Sequence, residues 1–247
     1  MSSHSGYPER ARFYDAEISQ VPEPVLLAGL LRPGLAVAEM PSGTGHFLPA
    51  YQAAAADVTL VDACPQMLAA AQAQAAHTGN TITTVCALIE DLPGRAGPFG
   101  LIVMPNGALN QLAATAPPTA MLAAATRLLL PEGLILIQVL NPNVPCGFYD
   151  PGLPYGRWLE DRQFQIPGGR TVTRRRRQHH HHDVVFIDFE MSCDDQTIHR
   201  QQVTLRLLVD EDVQAALGNA GLRIVKTVPS VGGLTEFLCS RLYAEER

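Results

Sequence analysis

The sequence predicts a mixed α/β fold built on a mostly parallel sheet. In the first half of the chain, short apolar runs alternate with helical stretches, and glycine-bearing or polar turns follow the runs. The runs are apolar throughout rather than at every second residue, which is typical of strands covered on both faces. In such sheets ligands bind beyond the carboxyl ends of the strands, so the residues that follow each strand are where a site is expected.

The first half supplies most of the predicted elements. Pro65 opens a helix, since proline fits a first helical turn, and Pro131-Glu132-Gly133 predicts the end of the last helix of this half. The predicted strands are residues 35–40, 58–62, 82–86, 101–104 and 134–140, and the predicted helices are residues 46–55, 65–76 and 118–130.

The second half changes character. Residues 141–170 are rich in proline, glycine and aromatic side chains, which predicts an irregular segment that forms part of a substrate wall. Strand-like content over 171–178, 183–192 and 197–208 predicts an antiparallel insertion. A helix over 211–220 ends before Gly221, and strands over 222–228 and 235–243 complete the sheet. We therefore expect one domain over 1–247, with residues 141–208 as an inserted substrate cover.

Composition limits the functional classes. A length of 247 residues suits one domain, and a net charge of −6 argues against a protein that holds nucleic acid on a broad basic face. No apolar run approaches the roughly 20 residues of a membrane span, and the polar N-terminus lacks a signal-peptide core. Five scattered cysteines without a CxxC pair suggest reduced thiols, so a cytoplasmic location is expected.

The turn after the first strand is the most informative segment. Glu39 closes the strand, and Gly43 and Gly45 lie in the turn that leads into a helix. Glycines let the backbone approach a ligand, and a helix N-terminus offers N–H groups to an anion. A dinucleotide site wants a third small residue where Leu48 stands, and the Lys-Ser/Thr pair of a phosphate-binding P-loop is missing.

This turn resembles the first motif of the class I S-adenosylmethionine-dependent methyltransferases, an acid followed by x-G-x-G-x-G. Residues 39–45 match it except for Pro41 at the first glycine. Asp62 and the following A-C-P-Q-M-L are similar to the family's D-x-S-x-x-M-L. Residues 88–93, L-I-E-D-L-P, are similar to D-A-E-D-L-P, with Leu88 at the first acid. Residues 99–106 are similar to the family's fourth-strand segment, and residues 7–15 to its F-Y-D lid.

The resemblance implies a seven-stranded, Rossmann-like sheet with S-adenosylmethionine as cofactor. Asp62 would accept hydrogen bonds from both ribose hydroxyls, Met67 would pack near the adenine, and His46 would lie near the methionine carboxylate. Tyr14 would cover the donor, and Arg10 or Arg12 would pair with its carboxylate. The expected cofactor-binding residues are Tyr14, Arg12, Glu39, Pro41, Gly43, Gly45, His46, Asp62, Ala63, Met67, Leu88, Ile89, Pro105 and Asn106.

Methyl transfer from a sulfonium is an in-line displacement, so the protein mainly aligns donor and acceptor and excludes water. An oxygen acceptor usually needs a general base, whereas an amine needs only to arrive unprotonated. The catalytic candidates are Tyr14, His180 and His182.

The two histidines belong to the run R-R-R-R-Q-H-H-H-H over residues 174–182. One reading of this run is a solvated hairpin edge. Another is that one histidine or arginine faces the substrate, as a base or as the partner of an acidic group. Consecutive strand residues alternate faces, so Arg174 and Arg176 share one side and four neighbouring histidines cannot all converge on one metal ion.

The sequence therefore predicts methyl transfer to an N or O atom of a small metabolite, such as an amino sugar or another secondary metabolite. The expected partner is that acceptor, without nucleic acid or membrane, and a homodimer is left open. A first rival is a protein that binds S-adenosylmethionine but does not methylate, because Pro41 and Leu88 depart from the motifs. A second rival is a nicotinamide-dependent oxidoreductase, against which Leu48 counts.

Overall fold

A computed structural model describes residues 7–18, 21–147 and 149–242. Its strands form two sheets. In chain order the strands are β1 (Ala36–Glu39), β2 (Asp57–Asp62), β3 (Thr83–Cys86), β4 (Phe99–Met104), β5 (Leu129–Leu140), β6 (Leu159–Ile166), β7 (Arg170–His181), β8 (Val184–Cys193), β9 (Gln196–Arg206), β10 (Leu222–Ser230) and β11 (Leu234–Arg241).

The helices lie mainly between the strands of the first sheet. None of those in the described part of the chain is long and apolar enough to cross a membrane. They are α1 (Tyr7–Arg10), α2 (Tyr14–Glu17), α3 (Leu27–Leu30), α4 (Leu48–Ala53), α5 (Pro65–His77), α6 (Ala108–Leu112), α7 (Pro118–Arg127) and α8 (Asp210–Asn219).

The first sheet has seven strands in the order β3-β2-β1-β4-β5-β11-β10. Strands β1 to β5 pair in parallel, whereas β11 runs antiparallel to both of its neighbours. This confirms the predicted α/β class with a mostly parallel, Rossmann-like sheet. Strand order reverses between β1 and β4, which makes the carboxyl ends of these two strands the expected place for a ligand.

The insertion after β5 is a separate antiparallel sheet in the order β6-β7-β8-β9. The prediction of three strands there is wrong, because β6 (Leu159–Ile166) lies within the segment predicted to be irregular. Its sequence, L-E-D-R-Q-F-Q-I, is mostly polar and charged, so it lacks the apolar pattern of a buried strand. Edge strands commonly carry such charges, and β6 lies at the edge of this sheet.

The predicted boundary between α7 and β5 is also wrong. The helix ends at Arg127 rather than at residue 130, and Pro131-Glu132-Gly133 lies inside β5. Strand pairing begins directly after the helix. The Phe99 N–H donates to the Leu128 carbonyl at 2.8 Å, and Phe99 pairs with Leu129. At the other end of the sheet, the predicted final residue of the last strand, Tyr243, lies outside the described residues.

The arginine run occupies β7, which lies between β6 and β8. The run is therefore not at a sheet edge, and the interpretation of a solvated position is wrong for Arg174 and Arg176. Arg174 and Arg176 share the inner face, as their spacing predicts, and are only 3% and 6% exposed. Arg175 and Arg177 lie on the opposite face, where Trp158 stacks on both guanidinium groups at 4.8 Å.

Two buried side chains fix the parts that surround the site. Asn110 joins the two sheets, since its amide nitrogen donates to the Arg206 carbonyl at 2.9 Å and its oxygen accepts from Leu140 N–H at 2.8 Å. Glu236 on β11 accepts from the backbone N–H groups of Val25 and Leu26 at 2.7 and 3.0 Å, just before α3. These long-range bonds hold the N-terminal segment and the insertion against the carboxyl edge of the first sheet.

Candidate functional site

Two cavities adjoin at the carboxyl ends of the parallel strands. Their volumes are about 220 Å³ and 280 Å³, and both are lined by Tyr14, Asn106 and Gln111. The first cavity lies over the turns that follow β1, β2, β3 and β4. The second lies between this edge, the N-terminal segment and the inner face of the second sheet. A ligand in one cavity would therefore meet a ligand in the other at Tyr14, Asn106 and Gln111.

The glycine turn after β1 forms one wall of the first cavity. Gly43 has φ +55°, and a Cβ atom there would come within 3.5 Å of the Tyr14 ring. Gly45 has φ +76°, and a Cβ atom there would come within about 3 Å of Leu48 and Leu60. Both positions favour glycine because other residues rarely adopt such φ values. Gly43 thus lets the turn approach the cavity, whereas Gly45 serves the packing beneath it.

Asp62, at the end of β2, joins two turns of the site. Its carboxylate accepts hydrogen bonds from the backbone N–H groups of Gly43 and Cys64, both at 2.8 Å. Such charge-assisted bonds are stronger than neutral ones, so Asp62 holds the glycine turn and the start of α5 in a fixed relation.

Glu39 is the least solvated carboxyl of the first cavity, at 1% exposure. The Tyr51 hydroxyl donates to it at 2.7 Å. Burial, together with a smaller contribution from the charge of nearby Asp62, raises the pKa of Glu39 to about 8 against the opposing effect of the Tyr51 hydrogen bond. At neutral pH the Glu39 carboxyl is therefore mostly protonated in the folded protein.

Substitution of Glu39 by glutamine is expected to change how the stability depends on pH. A carboxyl that titrates near 4.5 when unfolded and near 8 when folded stabilises the fold below pH 4.5, and this stabilisation is lost as the pH rises to about 8. The wild type should lose up to about 1.4 kcal/mol per pH unit relative to Glu39→Gln across this window. Urea unfolding at pH 5, 6, 7 and 8 measures the difference.

The matched control for this experiment is Glu90→Gln, since Glu90 is an exposed carboxyl on the wall of the same cavity. Its unfolding free energy should follow the wild-type curve at every pH. Parallel curves for wild type and Glu39→Gln would contradict a protonated Glu39.

The N-terminal segment that contains α1 and α2 covers one side of the first cavity. The Thr44 hydroxyl donates to the Asp15 carboxylate at 2.5 Å, which attaches this segment to the glycine turn. The Tyr14 ring lies 5.4 Å from the His46 ring, and the Arg10 guanidinium lies 5.1 Å from the Tyr14 ring on the side of the second cavity. Burial lowers the pKa of His46, so its imidazole is neutral near pH 7, and its buried Nε2 atom has no hydrogen-bond partner among the described residues.

The second cavity has an apolar wall and a cationic wall. Phe189, Val203 and Leu205 from the second sheet supply much of the apolar surface. Three guanidinium groups line the cavity, those of Arg10, Arg162 and Arg174. Of the described residues that line it, none is an aspartate, a glutamate or a histidine.

The structure places most of the predicted cofactor-binding residues together. The residues of this set that line the first cavity are Tyr14, Glu39, Pro41, Gly43, His46, Asp62, Ala63, Met67, Leu88, Ile89, Pro105 and Asn106. Their common feature is position, because nearly all of them end a parallel strand or follow one.

Four predicted residues do not line either cavity. Arg12 is exposed in the turn after α1, whereas Arg10, the other candidate, is buried at the end of α1 and lines the second cavity. Gly45 lies against the side chains of Leu48 and Leu60, below the cavity wall. His180 and His182, proposed as bases, are also absent from the cavity walls.

Local structure explains the positions of the two histidines. His180 lies beside Gln178, with ring nitrogen and amide nitrogen 3.1 Å apart, and its ring lies 6.0 Å from that of Tyr149. His182 is exposed at the turn between β7 and β8, where its φ is +55°. Among the described residues, no group of three or more His, Cys, Asp or Glu side chains is placed to hold a metal ion.

Sequence reasoning missed several residues of the two walls. Gln111, Leu112 and Thr115 line the first cavity from the helix α6 and the turn after it, which were not predicted. The sequence could have indicated these residues, because their segment directly follows the fourth parallel strand, where a ligand site is expected. Arg162 was missed because its strand, β6, was read as irregular.

Comparison with known proteins agrees with this geometry. Residues 37–133, which contain the walls contributed by β1 to β4, match the family model described as a methyltransferase domain. No curated protein matches the chain at a significant level.

Solved structures with the same fold cover nearly the whole chain. An S-adenosylmethionine-dependent methyltransferase from Clostridium acetobutylicum has a TM-score of 0.72 at 15% identity, covering 95% of this chain and 98% of its own. An amino pentose methyltransferase from Micromonospora echinaspora, solved with S-adenosylmethionine bound, has a TM-score of 0.66 at 20% identity, covering 98% and 92%. A sugar N-methyltransferase from Streptoalloteichus has a TM-score of 0.66 at 20% identity, covering 97% and 88%. At these identities the likeness shows the fold.

Proposed function

We infer that this chain, a class I S-adenosylmethionine-dependent methyltransferase, transfers a methyl group to a nitrogen atom of a small-molecule amine. The matched domain and the fold carry the family. One observation carries the nitrogen acceptor: the cavity next to the expected donor site has a cationic wall and, among the described residues that line it, no carboxylate or imidazole.

The first cavity suits S-adenosylmethionine in two respects. The backbone of the glycine turn forms its wall at Gly43, whose φ of +55° disfavours any side chain there. The buried His46 Nε2 has no partner among the described residues, so it can bond the donor's methionine part. Asp62 would accept the ribose hydroxyls, and Met67, Leu88 and Ile89 would contact the adenine. When bound, the cofactor supplies an activated methyl group on its sulfonium.

The remaining predicted residues of this wall would complete the donor site. Tyr14 would cover the donor, and Pro105 and Asn106 would lie near the methyl group that is transferred. Asn106 is held there by its N–H, which donates to the Gln138 side-chain oxygen at 3.0 Å. This bond fixes the turn after β4 at the junction of the two cavities.

The second cavity suits an amine that is already neutral. A nucleophilic amine must lose its proton before it attacks, and nearby positive charges disfavour the ammonium form. Arg10, Arg162 and Arg174 would supply that field at the wall of the cavity. An amine held there would need no protein base, whereas a hydroxyl would usually need one.

An amino sugar is the acceptor we favour. Two of the compared proteins are, by name, an amino pentose methyltransferase and a sugar N-methyltransferase. The sheet β6–β9 would then act as the cover of the acceptor, with Phe189, Val203 and Leu205 against its apolar face.

Calorimetric titration tests the donor site, with S-adenosylmethionine and S-adenosylhomocysteine as ligands and NAD as the comparison. Micromolar binding of the first two without binding of NAD is the expected result.

Transfer of labelled methyl to a panel of amino sugars and matched hydroxyl sugars then tests the acceptor. Binding without transfer to any amine would favour a donor-binding protein that does not methylate, and methylation of the hydroxyl sugars alone would refute the nitrogen acceptor.

Tyr14→Ala is expected to lower kcat/KM about tenfold to a hundredfold, because Tyr14 lines both cavities and truncation admits water between donor and acceptor. The matched control is Tyr155→Ala, a tyrosine that is 71% exposed and whose ring lies against His179. Initial rates over a range of acceptor concentrations measure both variants. Equal rates for Tyr14→Ala and the wild type would contradict a role for Tyr14 at the junction.

A further inference from the structure

We propose that the acceptor carries an anionic group, a carboxylate or a phosphate, in addition to its amine, and that Arg10, Arg162 and Arg174 bind this group in the second cavity. The inference rests on the proposed function, since it names the chemistry of the acceptor for that same site. Three guanidinium groups and no carboxylate line this cavity among the described residues.

The charges behind the cavity wall leave an excess of cations. Glu17 accepts from Arg10 Nε at 2.8 Å and from Arg174 Nη1 at 2.5 Å, and it is fully buried. Asp161 accepts from Arg174 Nη2 at 2.6 Å and lies 3.3 Å from Arg176 Nε.

Within the described part of the chain, Nε and Nη1 of Arg176 have no hydrogen-bond partner, although Asp150 also attracts this guanidinium group electrostatically. Glu17 and Asp161 are thus shared by three guanidinium groups, those of Arg10, Arg174 and Arg176, and Arg162 lies beside them.

Arg162 is the group best placed to take a ligand. Its Nη1 donates to the backbone carbonyl of Glu17, and no carboxylate of the described residues forms an ion pair with it. Burial lowers the pKa of Arg162, and the charges of Arg174 and Arg10 lower it further, against Asp161 and Glu17. Guanidinium groups carry five N–H donors in a planar fork that matches carboxylate and phosphate oxygens. An anion here would gain charge-assisted hydrogen bonds from these groups.

The cationic wall is held in place before any ligand arrives. The Phe189 ring lies 4.8 Å from the Arg174 guanidinium and 5.7 Å from that of Arg10. Arg174 is also held by hydrogen bonds to the carboxylates of Glu17 and Asp161, and it is 3% exposed. A preorganised wall loses little side-chain entropy on binding, which is favourable for affinity.

The donor's own carboxylate does not account for this wall. Arg10, Arg162 and Arg174 line the second cavity and none of them lines the first. The first cavity has its own polar groups near the glycine turn, including the unpartnered His46 Nε2. The arginines therefore point to a group of the acceptor.

Anion binding to the full chain tests the proposal, with inorganic phosphate and malonate as probes. The protein is first saturated with S-adenosylhomocysteine in a calorimetric titration, and each probe is then titrated against chloride at equal ionic strength. Arg162→Gln should weaken probe binding roughly tenfold to a hundredfold, as expected for loss of a charge-assisted bidentate contact. Arg162→Lys, which keeps the charge but loses the fork, should fall between Arg162→Gln and the wild type.

The matched control is Arg177→Gln, an arginine on the outer face of the neighbouring strand that pairs with Asp188 at 2.9 Å. It should bind the probes as the wild type does. Preference for phosphate or for malonate identifies which acid group the acceptor carries. Probe binding no tighter than chloride, or equal losses in Arg162→Gln and Arg177→Gln, would overturn the proposal. Failure of the first titration, with S-adenosylhomocysteine, would instead refute the donor site.

Discussion

Asp62→Ala is expected to weaken binding of S-adenosylhomocysteine by roughly a hundredfold or more. The substitution removes the carboxylate that would accept the ribose hydroxyls, and charge-assisted hydrogen bonds of this kind contribute about 1.5–3 kcal/mol each. It also releases the N–H groups of Gly43 and Cys64, which Asp62 holds at 2.8 Å in the free protein. The ligand would therefore lose both a direct partner and the fixed shape of the cavity wall. Isothermal calorimetry measures the change.

Asp57→Ala is the matched control, because Asp57 begins the same strand at its opposite end and is exposed. Its affinity for the ligand should equal that of the wild type. Asp62→Asn separates the two roles of Asp62, since an amide oxygen still accepts one of the backbone bonds but carries no charge. An affinity of Asp62→Ala within threefold of the wild type would show that the ligand does not use this carboxylate.

Glu17→Ala is expected to destabilise the folded protein by about 3–5 kcal/mol at neutral pH. Removal of one partner from a buried ion pair leaves the other charge without compensation, and costs of that order are typical. Glu17 is fully buried and bonds Arg10 through Nε and Nη2, at 2.8 and 2.9 Å, and Arg174 through Nη1, at 2.5 Å. Its loss would leave both guanidinium groups buried with fewer acceptors. Urea unfolding followed by circular dichroism measures the free energy of unfolding.

The pH dependence of this loss has a definite sign. Burial by itself raises the pKa of Glu17, but Arg10 and Arg174 outweigh it and hold the pKa below its ordinary value of 4.5. The ion pairs therefore stabilise the fold above pH 4.5, and this contribution is lost as the pH falls through the lower folded pKa. The difference between wild type and Glu17→Ala should shrink in acid.

Glu160→Ala provides the control for Glu17. Glu160 is exposed on β6, and its carboxylate accepts from Gln163 at 2.8 Å on the same edge strand. Exposed contacts of this kind contribute little, so a change within about 0.5 kcal/mol is expected. A Glu17→Ala variant as stable as Glu160→Ala at pH 7 would contradict a structural role for the buried ion pairs.

Much of the first cavity was predictable from the sequence, because most of its wall is formed by the turns that follow the parallel strands. Glu39, Gly43, Asp62 and Asn106 each lie at or just after the end of a parallel strand. Once the apolar runs identify those strands, the geometry of a parallel sheet brings their carboxyl ends to one edge. Motif spacing then indicates the ligand without any knowledge of distant contacts. Gly45 shows what the sequence does not predict even in this segment. The need for glycine in the turn is visible in the sequence, but its contact with Leu48 is seen only in the structure.

The histidine candidates lie away from both cavities for a reason that the sequence does not contain. Strand periodicity indicates that Arg174 and Arg176 share a face, but it does not say which face is inward. The register of β7 against β6 and β8 decides that question, and it buries these two arginines while His182 falls at an exposed turn. Register depends on pairing with strands that have few apolar residues of their own, such as β6.

The sequence by itself determined the α/β class and the positions of the turns that follow the parallel strands, because each of these depends on residues close together in the chain. The motifs in those turns also indicated S-adenosylmethionine as the expected donor. The tertiary structure alone decided the second cavity. Its cationic wall combines Arg10 from the N-terminal segment, Arg162 from β6 and Arg174 from β7. These residues meet only because buried ion pairs to Glu17 and Asp161 and the packing of Phe189 hold three separate segments together. Such long-range contacts leave no periodic signal in a single sequence, since side chains that meet across elements can lie at any separation along the chain.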